Sequence, residues 1–277
     1  MILKIAAGLS LLLSVLIFLN MNAALWVLPL LYLGCMAVCL LLAFVFFVIV
    51  CAFVDLNKPQ FEDSRFYRTV MDLYIELLVQ VIPCKITTND LTVNLPPERR
   101  FLLVCNHQNE SDPAVLLHYF RKSQLAFISK KENSSMPFVG KFMHKTLCQM
   151  INRENDREAL KTILKCIQIL KEDKASIAVF PEGGIFEKDK LSHFRSGVFK
   201  VAQKAKVPIV VCTLKGTSDL FHNLKRLKTT HIRLHLIGII PEWEHAEMTT
   251  VEIADRVYDM MIADLGEEYR PSVAQNT

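Results

Sequence analysis

Residues 101–120 read FLLVCNHQNESDPAVLLHYF, and the order of residue types in them sets the architecture. FLLVC is a short, unbroken apolar run of the kind that forms a strand buried on both faces. Asn106 to Ser111 is polar and reads as a loop. Asp112-Pro113 then opens a helix, since Asp suits the N-cap and Pro the first helical position. His107 therefore falls in the loop at the carboxyl end of a strand, where open α/β sheets place their ligands.

The same alternation continues outward. Short apolar runs predict strands at 84–88, 125–129, 147–151, 176–180, 208–213 and 231–239, beside 101–105. Helical patterns cover 113–122, 156–172, 196–205 and 250–265, the last opened by the capping box Thr249-x-x-Glu252. Alternation of this kind predicts an α/β domain over 84–277, with a mostly parallel or mixed central sheet flanked by helices. THIRLHLIGII alternates in polarity, which suits an edge or one-sided strand, and the tail PSVAQNT is expected to fray.

Upstream the chemistry changes. The 277 residues are 52% apolar, with a mean hydropathy of +0.28, but no charged side chain lies between Lys4 and Asp55. Residues 5–19 and 23–54 are two apolar runs separated by Asn20-Met21-Asn22. A bilayer core needs ~20 helical residues. The second run is long enough, with Pro29 at a kink or a helix start; the first reaches that length if Ile2 and Leu3 join it. Together they predict a transmembrane hairpin over 1–54. A cleaved leader is the alternative for 1–19, but no small-x-small cleavage site follows. Lys4 at one end and Lys58, Arg65 and Arg68 at the other predict an integral membrane protein with both ends of the hairpin, and the domain beyond, on the cytoplasmic side. Residues 64–82 carry apolar positions at helical spacing and form an amphipathic connector over 55–83 that covers the core or lies on the membrane surface.

A net charge of +4 gives no dense basic patch for nucleic acid. Eight cysteines without a C-x-x-C pair, mostly in apolar settings, read as free thiols, with no metal site expected. Cys105, in its apolar strand, is expected to be inert and protonated.

His107 and Asp112 stand five residues apart. On one helix they would point about 140° apart, so they meet only if the loop folds back, which a helix start at Asp112 permits. A carboxylate beside an imidazole fixes its tautomer and stabilises the imidazolium, and such a histidine could take a proton from a substrate hydroxyl attacking a thioester. An N-cap aspartate near an unrelated loop histidine fits the same letters. A second strand exit, SIAVFPEGGIF at 176–186, delivers Glu182, Gly183 and Gly184 to the same end of the sheet. Its glycine N–H groups can face phosphate or an oxyanion, or the segment is an ordinary turn. There is no G-x-S-x-G, Walker A, G-x-G-x-x-G or H-E-x-x-H.

In combination these segments resemble the 1-acyl-glycerol-3-phosphate acyltransferase family, of the lysophosphatidic acid acyltransferase type. Its Asn-His-x4-Asp block is matched by Asn106-His107…Asp112, and its Phe-Pro-Glu-Gly block by Phe180-Pro181-Glu182-Gly183. The lysine-bearing strand end is represented by Ile128-Ser129-Lys130, the Asp-Arg block by Asn152-Arg153, the Phe-Lys-x-Gly block by Phe194-Arg195-Ser196-Gly197, and the last element by Val207-Pro208-Ile209-Val210. The order holds over about residues 70–240. The resemblance implies a membrane-bound enzyme that moves an acyl group from acyl-CoA or acyl-carrier protein to the sn-2 hydroxyl of lysophosphatidic acid, giving phosphatidic acid. It implies His107 as general base, oriented by Asp112. Asn106, Glu182 and Gly183 would shape the acceptor site, Arg153 would bind its phosphate, and Lys130 and Arg195 are further candidates for that anion. No cofactor is implied beyond the thioester co-substrate. The chain departs from the family at Gly184-Ile185, where Thr-Arg is usual, and at Asn152, where Asp is usual. Another lysophospholipid or lysolipid acceptor, or a non-catalytic lipid-binding role on the same fold, therefore stays open.

Overall fold

The computed structural model describes residues 1–21, 23–89 and 99–271. Asn22 of the predicted polar turn and residues 272–277 of the predicted frayed tail lie outside the described residues.

Two apolar helices, α1 (Ile2–Leu19) and α2 (Val27–Ala52), pack against each other and are long and apolar enough to cross a membrane. Ile2 and Leu3 do join α1. Its Ser10 and Ser14 hydroxyls donate back to the carbonyls of Ala6 and Leu11, at 2.6 and 2.9 Å, so neither leaves a polar group unpaired in an apolar surround. Pro29 sits in the first turn of α2, where a missing N–H costs nothing.

The helix α3 (Arg65–Val81) follows, then β1 (Cys84–Thr88), β2 (Leu102–Cys105), α4 (Asp112–Tyr119), β3 (Leu125–Lys130), α5 (Val139–Lys145), β4 (Gln149–Ile151), α6 (Asp156–Lys171) and β5 (Ser176–Val179). Next come α7 (Lys200–Ala205), β6 (Ile209–Lys215), α8 (Leu220–Lys225), β7 (Thr230–Ile240), α9 (Glu242–His245) and α10 (Thr250–Leu265). Among the described residues, seven strands form one mixed sheet in the order β1-β7-β6-β2-β5-β3-β4, parallel except between β6 and β7.

β2 lies between β5 and β6, and its four residues are buried. Leu102 and Val104 face a layer made by α6, α7 and α10. Leu103 and Cys105 face the α4 side. On that side the last turns of α2 dock onto α3 and α5, where Val50, Cys51, Val70 and Phe142 are buried together with Phe47, Tyr67 and Tyr74 around them. Lys141 Nζ and the Tyr67 hydroxyl cap the C-terminal carbonyls of α2 at Cys51 and Val50. Arg68 ties this assembly to the sheet. It is buried, forks onto Asp63 and donates to the carbonyls of Leu125 and Thr146. It therefore does not belong to the basic collar expected at the end of the hairpin, which is left to exposed Lys58 and Arg65.

Several expectations need correction. Asp112 is the first residue of α4, and the N-cap is Ser111. The carboxylate turns back to the loop instead of forward to the helix. α4 ends at Tyr119, and a 3₁₀ turn, Arg121–Ser123, takes its place. β4 starts at Gln149 because Leu147 has φ +61°, a left-handed conformation no strand continues through. The predicted helix 196–205 is a 3₁₀ turn, Ser196–Phe199, leading into α7. β7 is not an edge strand. β1 pairs along its outer side, and its alternation reflects one well-buried face.

Candidate active site

Four neighbouring strands, β2, β5, β3 and β4, end on the same side of the sheet. Those ends carry His107, Gly183, Lys130 and Arg153, and all four residues line one cavity of about 550 Å³. The rest of its wall is largely apolar. Phe47 comes from α2, Met71, Tyr74, Ile75 and Leu78 from α3, and Phe127 and Phe180 from the sheet side. One face of α3 thus lines the cavity; Phe66, off that face, is exposed.

The loop after β2 folds back as the spacing required. His107 Nδ1 lies 2.9 Å from Asp112 Oδ2. The backbone N–H groups of Gln108 and Asn109 donate to the same oxygen at 2.6 and 2.8 Å. Asp112 is fully buried. An oxygen receiving two N–H bonds accepts from the ring as well, so Nδ1 carries the hydrogen, and in the neutral ring Nε2 keeps its lone pair. The imidazole is 18% exposed and stacks on the Phe180 ring, with centroids 4.2 Å apart and planes 16° from parallel. Its orientation is fixed from two sides.

Glu182 and Asn106 stand behind the cavity wall and do not line it. The Glu182 carboxyl accepts from the backbone N–H of His107 at 2.7 Å and of Ser192 at 3.0 Å. It is 3% exposed, and burial pushes its pKa up to about 8. Asn106 holds both the N–H and the carbonyl of Leu214, extending the pairing of β2 with β6 by one residue. Through these bonds both position the backbone at the cavity wall.

Gly183 has φ +79°, and a Cβ there would lie 2.8 Å from Arg195 Nε and 3.6 Å from Arg153 Cζ. Both guanidinium groups thus pack against this glycine. Arg153 is half-buried; burial, and then the Arg195 charge beside it, lowers its pKa. Neither arginine makes a close ion pair among the described residues, although the Glu132 charge acts on Arg153 from farther off. Two like charges converging at a cavity wall form a seat for an anion. Arg195 itself is exposed and reaches the site from outside the cavity. Lys130 is exposed at the cavity rim. Where the family has Thr-Arg, Gly184 and Ile185 line the wall, and the Phe186 ring packs over Gly184.

Three contributors carried no sequence signal. Gln108 is buried and its amide donates to the Tyr269 hydroxyl at 3.3 Å, so the C-terminal 3₁₀ turn braces the loop. Ser192 contributes a backbone N–H, which any residue supplies. The stacking ring of Phe180 stood in a quoted block, but nothing in the letters shows a stack. Cys105 is fully buried beneath the loop, and burial pushes its thiol well above the ordinary value, as suits an inert cysteine. All eight cysteines are free. No group of three His, Cys, Asp or Glu side chains that could hold a metal ion occurs among the described residues.

Comparison with known proteins agrees with the resemblance read from the motifs. Residues 89–215 match the acyltransferase family. A 1-acyl-sn-glycerol-3-phosphate acyltransferase of Chlamydomonas reinhardtii is 39% identical over 125 residues, covering 45% of this chain and 37% of that protein. A probable 1-acyl-sn-glycerol-3-phosphate acyltransferase of Mycoplasma pneumoniae is 32% identical over 179 residues, covering 63% of this chain and 64% of its own. The chain thus spans less than two thirds of the length of either relative. The crystal structure of the 1-acyl-sn-glycerophosphate (LPA) acyltransferase PlsC from Thermotoga maritima superposes with a TM-score of 0.60 at 19% identity, covering 98% of this chain and 100% of that one. At that identity the likeness establishes the shared fold.

Proposed function

We propose that this chain, with its acyltransferase-family domain over residues 89–215, transfers a fatty acyl group from acyl-CoA or acyl-carrier protein to the sn-2 hydroxyl of lysophosphatidic acid, forming phosphatidic acid. The observation that carries the reading is the His107–Asp112 pair at the wall of an apolar cavity that also presents Arg153.

In this reading His107 Nε2 takes the proton of the acceptor hydroxyl as its oxygen attacks the thioester carbonyl. The C–O bond forms, the C–S bond breaks, and the imidazolium returns the proton to the departing thiolate. Asp112 stabilises the imidazolium in between. General base catalysis of this kind is worth ~10²–10⁴ in rate. Arg153 and Arg195 hold the acceptor phosphate against Gly183, and Lys130 adds positive charge at the rim. The apolar wall from α2, α3 and Phe127 takes acyl chain. No cofactor is needed beyond the thioester. With α1 and α2 in the bilayer, Lys4, Lys58 and Arg65 favour a domain on the cytoplasmic side, and an amphiphilic acceptor reaches the cavity beside α3 without crossing water.

The test is thiol release from an acyl thioester with lysophosphatidic acid, using the membrane-embedded chain and its His107→Ala variant. The variant should be inactive while still folding and unfolding cooperatively; substantial turnover without the imidazole would refute the assignment. A different lysophospholipid acceptor is favoured by the apolar lip of Gly184, Ile185 and Phe186. Comparing acceptors with and without a terminal phosphomonoester separates the two.

A further inference from the structure

We propose that the outward face of α6 and α7 is a docking surface for an acidic carrier protein that presents the acyl group as a thioester. This rests on the acyl-transfer reading above and commits the donor half of the reaction to one partner.

The charge pattern comes first. Between Glu158 and Glu172 there is no acidic residue, while Lys161, Lys165 and Lys171 are exposed. Between Asp189 and Asp219 there is again none, while Arg195, Lys200, Lys204 and Lys206 are exposed. The two segments meet because α6 packs beside α7. Among the described residues, Arg157, Lys161, Lys165, Lys200 and Lys204 make no ion pair. On the neighbouring α10, by contrast, Arg256 is neutralised by Glu244. Acids border the strip in the first turn of α6, where Glu158 is engaged by the Asn152 amide, and at Glu242 of α9, which shares a cleft with Lys204 and Lys206 and is paired with Arg99.

The surface also has an apolar centre. Leu160 and Leu164, one turn apart on α6, are 53% and 56% exposed between the lysines. Apolar residues ringed by charge are how protein interfaces are built. A nucleotide would want its cations converging on one point. Here Arg157 and Lys165 are separated by about 12 Å of helix, and more cations lie on a second helix. A bilayer fits poorly, because α6 and α7 cover the sheet face opposite the one on which α2 and α3 dock. That face is left to water when the hairpin is in lipid.

The position suits a donor. Arg195, at the site, is the N-cap of the 3₁₀ turn that runs directly into Lys200 and α7. α6 starts three residues after Arg153. The basic strip therefore begins beside the cavity and leads away from it, as a carrier with a tethered acyl arm requires.

The experiment reverses Lys161, Lys165, Lys200 and Lys204 to Glu in the full membrane-embedded chain and compares palmitoyl-acyl-carrier protein with palmitoyl-CoA as donors. A parallel set changes the same residues to Gln. The expected result is a rise in KM for the carrier thioester of about tenfold or more, because steering charges act through association. The Gln set should give a smaller rise, and KM for palmitoyl-CoA should hold within about twofold. Retained turnover with palmitoyl-CoA also reports that each variant is folded. Equal rises for both donors, or none, would overturn the docking surface. So would a wild-type chain that accepts palmitoyl-CoA but refuses the carrier, and that result would leave acyl transfer standing. A wild-type chain inactive with both donors would sink the acyl-transfer reading itself.

Discussion

Replacing Asp112 by Asn separates the two services its carboxylate performs. Oδ2 receives three hydrogen bonds, from the His107 ring and from the N–H groups of Gln108 and Asn109. An asparagine must put its oxygen there, because an NH₂ in that place would face two backbone donors. The correct imidazole tautomer is therefore kept, and what disappears is the negative charge. A unit charge about 4 Å from the imidazolium is worth ~4 kcal/mol at an effective dielectric of 20, which is a factor of ~10³ in rate. Asp112→Asn should thus lower kcat about a thousandfold with KM little changed. The new NH₂ takes the place of Oδ1, which is buried without a partner, so stability should fall by about 1–3 kcal/mol. Asp112→Ala uncovers both backbone N–H groups and should cost more stability than Asp112→Asn. Steady-state thiol release gives kcat and KM, and thermal unfolding gives the stability. An Asn variant that keeps more than about a tenth of wild-type kcat would show that no imidazolium waits on this carboxylate.

Arg153→Ala should raise KM for a phosphate-bearing acceptor about 10- to 100-fold, the worth of one charge-assisted contact, with kcat little changed; an unchanged KM would remove Arg153 from the anion seat. Gly183→Ala forces a Cβ to φ +79° and to 2.8 Å from Arg195 Nε, so it should cost at least about 1 kcal/mol and shift KM in the same sense as Arg153→Ala. Calorimetry and acceptor titration read the two effects, and normal values for both would argue against the packed arginine pair. Glu182 titrates near 8 in the fold against about 4.3 in an unfolded chain. Its raised pKa means that its contribution is complete at pH below the unfolded value and is lost as pH rises through about 8. Between pH 5 and 9 the wild-type melting temperature should fall relative to that of Glu182→Gln, which cannot titrate, and parallel curves would contradict a buried neutral carboxyl.

Most of the sheet was legible in the letters because its central strands β2, β5 and β6 are buried on both faces and stand out as apolar runs. β1 and α10 have the predicted bounds, and β2 and β5 differ from theirs by one residue at one end. The misreadings fall where a local letter has two uses. Asp before Pro reads as an N-cap, but two backbone N–H groups of the preceding loop compete for the carboxylate and win, leaving the cap to Ser111. Alternation in β7 reads as an edge or a one-sided strand; β1 comes from far upstream to pair with it, so the one-sided reading holds and the edge does not. α5 and α8, seven and six residues long, are too short to show a period. In the site, His107, Lys130, Arg153 and Gly183 on the cavity wall and Asn106, Asp112 and Glu182 behind it were legible, whereas the bracing partners Ser192 and Tyr269 were not. Ser192 acts through its amide, and Tyr269 reaches Gln108 across 161 residues.

These supports explain why so much of the polar sequence near His107 is spent on backbone. Asn106 fastens the end of β2 to β6, Glu182 fastens His107 to the segment at Ser192, and Asp112 fastens the two residues that follow the histidine. Each is buried, and each satisfies backbone donors that a tight loop at the end of a buried strand would otherwise leave bare. With those groups engaged, and the ring held by Asp112 and Phe180, Nε2 is left free to move a proton. A loop ordered by that many bonds loses little entropy when an acceptor hydroxyl arrives. Loosening any one fastening should therefore lower kcat more than it raises KM, whereas the arginines across the cavity should do the reverse.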